Sequence, residues 1–292
     1  MDAPARLQIV SQGDRQSCPT IEADHDTPAT HDKEGSGGCV VIKADATFLG
    51  HSTVLIEIGN ARILTDPVLI DRVTILRRAV GTLPADLYRD IDAVVISHLH
   101  LDHLDLASLR LLGSDVQLIV PRGAGRLIER GGFRNVVELP RGKSMVVDGV
   151  NVTATHAVHS GFRPPFGPNA EALGFVFEEG GESVYFAGDT DIFDEMADLE
   201  GVDLALLPVW GWGPRLGPGH MDPQRAADAL RVLKPRMAVP IHWGTLWPIG
   251  MGRVTPDRLE QPPLEFAKAA SERAENCQVI VVAPGTTVPI PR

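Results

Sequence analysis

One stretch of nine residues concentrates groups able to bind a metal: Ser97-His98-Leu99-His100-Leu101-Asp102-His103-Leu104-Asp105. Three imidazoles and a carboxylate fall within six residues, directly after the apolar run Ala93-Val94-Val95-Ile96. Imidazole nitrogen and carboxylate oxygen are the donors that zinc and similar divalent ions take up. In an extended segment His98, His100 and Asp102 project to one side and His103 to the other, so a turn after His100 is needed to gather all four. Leu99, Leu101 and Leu104 face the core and stiffen the loop. A solvated polar loop is the plain alternative, and it does not account for this density of histidine. Asp105 reads as a helix-start charge rather than a ligand.

Four donors in one loop cannot close a pair of metals, and the remaining candidates stand just past later apolar runs. They are His159 in Ala157-Val158-His159-Ser160-Gly161, Asp189 in Ala187-Gly188-Asp189-Thr190, and His242 in Pro240-Ile241-His242-Trp243-Gly244-Thr245. His156 lies three residues before His159 and competes with it, with His159 favoured. Asp66, before Pro67, reads equally as a partner of a metal-bound histidine or as a turn residue.

The elements that must position these groups are short strands and a few helices. Strands are expected at Val40–Leu49, Thr53–Ile58 and Ala61–Thr65, the last two joined at Gly59-Asn60. Two further hairpins are expected at Asp148-Gly149, between Met145–Val147 and Val150–Ala154, and at Gly180-Gly181, between Gly174–Glu178 and Ser183–Ala187. Later strands are expected at Leu204–Val209, Met237–Pro240 and Gln278–Val282. Helical patterns cover Leu104–Leu112, Ala124–Arg130, Asp222–Leu233 and Leu264–Glu275; in the third, Asp222 can cap and Pro223 occupies the first turn. Strand-rich halves, each with helices to cover it, predict a four-layer α/β arrangement.

Composition bounds the function. The 292 residues carry 27 basic and 38 acidic side chains, a net charge of -11, which disfavours nucleic acid as the main ligand. Hydrophobic residues make up 43%, enough for one large core. The three cysteines, Cys18, Cys39 and Cys277, form no CxxC pair, so neither a disulfide framework nor a cysteine zinc site is expected. No secretory leader and no membrane-spanning run is read, and the expected compartment is the cytoplasm. Residues 1–38, polar and ending in Glu34-Gly35-Ser36-Gly37-Gly38, read as a disordered or loosely attached arm, and 39–292 as a single domain.

Taken in order, HxHxDH at His98–His103, His159, the GDT at Asp189 and His242 resemble the metallo-β-lactamase superfamily. FLGHSTVLIEIGNARILTDPVL at Phe48–Leu69 and HWGT at His242–Thr245 are similar to the branch holding the ascorbate 6-phosphate lactonases and the N-acyl phosphatidylethanolamine phospholipase D enzymes. The resemblance spans about residues 40–285. It implies an αββα sandwich with two divalent ions at one edge of the sheets, Zn2+ first, with Mn2+ or Fe2+ also accommodated. It assigns His98, His100 and His159 to one ion, Asp102, His103 and His242 to the other, and Asp189 to both. It also implies a bridging hydroxide as nucleophile, with Asp102 and Asp189 as the catalytic carboxylates. The spacing of about 3.5–4 Å usual for such pairs serves to stabilise both attacking and leaving oxygens.

Two loops suit a small anionic or amphipathic substrate: Gly161–Pro168, with Arg163, and Trp210–Gly219, with Trp210, Trp212 and Arg215. His51 and His220 join Arg163, Trp210 and Trp212 as expected pocket residues. The leading activity is hydrolysis of a phosphodiester, then of a sugar or acyl lactone. An inactive metal-binding scaffold is a further alternative. The diiron redox enzymes of the same scaffold carry a carboxylate where this chain has His100. A homo-oligomer is compatible with the sequence.

Overall fold

The computed structural model describes residues 8–10, 44–213, 215–251 and 256–291. Nearly all of the arm expected at 1–38, with Cys18 and Cys39, lies outside these, as does the start of the strand expected at Val40–Leu49. Within the arm, Gln8–Val10 forms a strand parallel to Gln278–Val282.

Two large sheets face each other. The first has seven strands in the order Thr286–Pro289, Ala44–Gly50, Thr53–Ile58, Ala61–Thr65, Ala93–Val95, Gln117–Val120 and Val136–Glu138. The second has eight, in the order Gln8–Val10, Gln278–Val282, Met237–Ile241, Leu204–Pro208, Glu182–Phe186, Leu173–Glu179, Val150–His156 and Ser144–Val147. All three expected hairpins form. At Asp148-Gly149 both residues adopt positive φ, 44° and 93°, the twist that a two-residue hairpin turn requires.

The central strands are apolar on both faces because both are covered. Along Leu204–Pro208, Leu204 and Leu206 join the core between the sheets, while Ala205 and Leu207 pack under the helices α3 (Pro223–Leu233) and α4 (Gln261–Arg273). In the first sheet Ile63 points between the sheets, and Leu64 packs against α1 (Leu106–Leu112) and α2 (Gly125–Arg130). The layers are therefore helix, sheet, sheet, helix, the expected αββα sandwich.

Local chemistry sets the helix starts. Asp105 caps α1, accepting the Ser108 N–H, so Leu104 belongs to the preceding turn. Asp222 caps α3 by accepting from Arg225 N, with Pro223 at the first position. Helix α4 begins at Gln261, three residues before the expected Leu264, because Pro262 and Pro263 fall in the first turn, where a missing N–H costs no intrahelical bond.

A small third sheet, Leu246–Pro248, Leu76–Arg78 and Arg72–Val73, stands beside the sandwich edge. Arg78 is buried there and donates to the carbonyls of Leu49 and Val68. It thus binds this sheet to the Gly50-His51 turn.

Candidate metal centre

Parallel strands end at one edge of the sandwich, and each end delivers a polar group there. Asp66 follows Ala61–Thr65; His98–Asp105 follows Ala93–Val95; Asp189 follows Glu182–Phe186; Trp210 and Trp212 follow Leu204–Pro208; and His242 follows Met237–Ile241. The HxHxDH segment turns after His100, whose carbonyl accepts from His103 N at 3.1 Å and Leu104 N at 2.8 Å. A bond from Leu173 N to Ser97 O, 2.9 Å, ties this loop to the second sheet. His51, Asp66 and His242 hold φ of 56°, 35° and 61°, a left-handed conformation uncommon outside glycine and concentrated here at the site.

Seven of the chain's ten histidines converge: His51, His98, His100, His103, His159, His220 and His242. Asp189 is their centre. Its Oδ2 lies 3.3 Å from Nε2 of His103, 3.4 Å from that of His220, 3.8 Å from that of His159 and 4.0 Å from that of His98; its Oδ1 lies 3.2 Å from Nε2 of His242. Donor atoms group into His98, His100 and His159 on one side and His51, Asp102, His103 and His242 on the other, each set within 4.8 Å of one another.

The rings are aimed from behind. His103 Nδ1 bonds Asp66 Oδ2 at 2.7 Å, His159 Nδ1 the Gly219 carbonyl at 2.8 Å, His220 Nδ1 the Gly217 carbonyl at 3.2 Å, and His242 Nδ1 the Trp210 carbonyl at 2.7 Å. Each leaves Nε2 facing the centre, the arrangement by which outer partners fix the tautomer of a ligating histidine. Ser97 donates N–H and Oγ–H to Asp66, which settles Asp66 as the partner of a cluster histidine.

Among the buried atoms that find no hydrogen bond, His98 Nε2 and Asp189 Oδ1 lie at the centre of the cluster, and His51 Nδ1 lies behind it. Such a group costs about 1–3 kcal/mol when left unsatisfied, and a cation between the first two and their neighbours removes that cost for both. The residues present therefore fit a metal ion.

The electrostatics agree. Burial pushes the imidazoles of His98 and His242 well below the usual range and that of His100 to about 4, leaving neutral rings with lone pairs to give. Burial, the largest single influence, would raise Asp102 and Asp189, but the surrounding histidines together outweigh it, His103 first, then His51 and His242 for Asp102 and His242 and His220 for Asp189, and hold both well below the ordinary carboxylate range. Burial likewise opposes a proton on His103, and Asp189 and Asp102 outweigh it, so His103 titrates well above an ordinary histidine.

A cavity of about 360 Å³ opens onto this cluster. His100, Asp102, Asp189, His220 and His242 form its floor, and Ile75, Leu76, Leu101, Trp212 and Leu216 its walls, with Arg215 the cation on its lining.

The expected substrate residues divide. Trp212 and His220 line the cavity. Arg163 is turned away from it: one nitrogen, Nη1, donates to the carbonyls of Leu99 at 2.8 Å and Leu104 at 3.0 Å, clamping the HxHxDH loop. Trp210 is buried, with its indole on Gly213 O and its carbonyl on His242. His51 lies behind Asp102, bonding its Oδ2 through Nε2 at 3.0 Å. His156 packs on Phe193 away from the cluster, whereas His159 is in it. Ser97, Gly219 and Arg78 were not singled out by sequence: Ser97 and Gly219 adjoin the candidates His98 and His220, whereas Arg78 is far from the GHST turn in the chain and carried no signal.

A family model described as a beta-lactamase superfamily domain matches residues 61–243. The chain belongs to this superfamily. A protein of Pelotomaculum thermopropionicum named UPF0173 metal-dependent hydrolase is 33% identical, the alignment covering 83% of this chain and 98% of that protein. A protein of the same name from Rubrobacter xylanophilus is 34% identical over 82% and 93% of the two chains. Among solved structures, Igni18, a metallo hydrolase from the archaeon Ignicoccus hospitalis, superposes with a TM-score of 0.65 at 25% identity, covering 84% of this chain and 97% of its own. Igni18 shares the fold described above, and the His/Asp cluster of this chain falls within or beside the segment that the family model matches.

Proposed function

We propose that this metal-dependent hydrolase binds two divalent ions and cleaves a phosphodiester, with a lactone or ester as the alternative bond. The observation that carries the reading is the convergence of imidazole Nε2 atoms, anchored through Nδ1, on the two sides of Asp189. His98, His100 and His159 would hold one ion, Asp102, His103 and His242 the other, and Asp189 would contact both. Zn2+ suits the nitrogen-rich set, and the carboxylates also accept Mn2+ or Fe2+. When bound, such a pair supplies an activated water near neutral pH and charge to offset the developing oxyanion.

The chain's own residues do the rest. Asp189 and Asp102 stay ionised and fix the positions of the histidines around them. His220 titrates above an ordinary histidine because Asp189 outweighs its burial, so it can hold a proton on Nε2 at the cavity floor, where a leaving oxygen would take it. The walls exclude water and grip an apolar group.

Arg215 on the cavity lining supports an anionic substrate and thus the phosphodiester. The apolar walls supply the case for a neutral lactone or ester. The net charge of -11 supports a small-molecule substrate over nucleic acid. No helix among the described residues is long and apolar enough to cross a membrane. We place the enzyme in the cytoplasm as one hydrolase domain over 39–292, preceded by an arm.

The test is a paired turnover assay on zinc- and manganese-loaded protein, with bis(p-nitrophenyl) phosphate in one cell and a lactone panel followed by proton release in the other. Each is run beside Asp189→Ala. Diester turnover lost in the variant supports the reading; lactone opening alone shifts it to the alternative; silence on both counts against it.

A further inference from the structure

The loop after strand Leu204–Pro208 reaches the same end of the metal centre twice. Through the Trp210 carbonyl it orients His242, and through the Trp212 indole it touches Asp102: Nε1 donates to Oδ2 at 2.9 Å. The same oxygen takes His51 Nε2 at 3.0 Å, so two groups from two loops converge on it. An indole nitrogen has one proton and no acceptor lone pair, so this bond uses all its polar capacity. The ring packs against the cluster of Val68, Val73, Leu76 and Leu246, with Ile70 and Leu101 beside it, and cannot swing out without exposing that apolar surface. Its other face lines the cavity.

We propose that Trp212 is a positioning residue for Asp102: its N–H holds Oδ2 and so fixes how the carboxylate is presented to an ion at the His103–His242 end. The proposal rests on the reading of two ions above. It predicts an asymmetry, because the indole's one hydrogen bond goes to Asp102 and not to His98, His100 or His159. Loss of the indole N–H weakens one ion and spares the other.

Trp212→Phe keeps an aromatic wall and removes the donor. Wild type and variant are loaded with Zn2+, then stripped with a graded series of chelator, and bound metal is measured by elemental mass spectrometry. In the variant one ion per chain is expected to leave about 10–100 times more readily, the usual cost of losing an outer partner, while the other is retained as in wild type. The metal-free melting temperature is expected to fall only modestly, since His51 still bonds Oδ2 and the phenyl ring keeps most of the apolar packing. A variant that holds both ions as wild type does, or loses both together, overturns the proposal. Wild-type protein that binds fewer than two ions instead overturns the underlying reading.

If Trp212→Phe does not fold, 15N-labelled wild-type protein gives the second test. Its four tryptophans are few enough to assign the Trp212 indole signal by elimination through Phe variants at 210, 243 and 247. That signal is expected to shift with one equivalent of Zn2+ and not with the other. A signal indifferent to both, or moving equally with both, overturns the proposal.

Discussion

The Nε2 atoms of His103 and His242, residues 139 apart in sequence, lie 3.1 Å from each other. In the metal-free chain a proton on His103 can bridge them, since Asp189 and Asp102 favour it there against burial and His242 is kept neutral by burial. Two nitrogens bound to one tetrahedral zinc at about 2.0–2.1 Å would sit roughly 3.3 Å apart. The pair is thus spaced for an ion to replace the proton with little movement of either ring, the mark of a preorganised site.

Asp66 sets the His103 ring. Asp66→Asn keeps the size but weakens the acceptor on Nδ1, and metal retention in a chelator competition is expected to fall about 10–100-fold. Unchanged retention would mean that packing alone fixes His103.

Arg163 works as a clamp on two carbonyls of the HxHxDH loop. Arg163→Ala leaves both without their donor and is expected to cost about 2–3 kcal/mol in urea unfolding, the range for losing charged hydrogen bonds. If the residue instead reads a substrate anion, stability would hold and only KM would rise.

Gly219 has φ +76°, and a Cβ there would lie 2.7 Å from the Val158 carbonyl and 3.1 Å from His159 Nδ1. Gly219→Ala is therefore expected to lower stability and to push His159 out of line, releasing metal. Gly113 also has positive φ, 98°, but open space around it; Gly113→Ala is expected to cost about 1–3 kcal/mol in backbone strain with full metal content. Calorimetry and metal analysis on the two variants separate backbone strain from damage to the site.

Metal binding should stabilise the fold by mass action. Zn2+ at a thousandfold excess over its dissociation constant adds about 4 kcal/mol. Calorimetry before and after chelation should show the melting temperature fall and then recover with Zn2+, and no change would contradict the assignment.

Much of this was legible in the sequence. The two-residue turns at Asp148-Gly149 and Gly180-Gly181, the cap at Asp222 and the histidine density at His98–His103 are local signals, fixed by residues adjacent in the chain. The strands Gln117–Val120 and Val136–Glu138 and the small sheet around Arg78 were not legible. They are short, and their pairing is decided by neighbours far away in sequence. The same reason explains Arg163 and Trp210: residue type announced a polar or aromatic loop, but their partners, Leu99, Leu104, Gly213 and His242, come from tertiary packing. Asp66 was ambiguous until Ser97 and His103 appeared on either side of its carboxylate.

The most direct measurement is the metal content of purified protein after loading with Zn2+ and exhaustive dialysis, for wild type and Asp189→Ala. Two ions per wild-type chain and a marked loss in the variant are the result expected if Asp189 joins two metal sites. A wild-type chain that retains none, or a variant that retains both, would contradict that account.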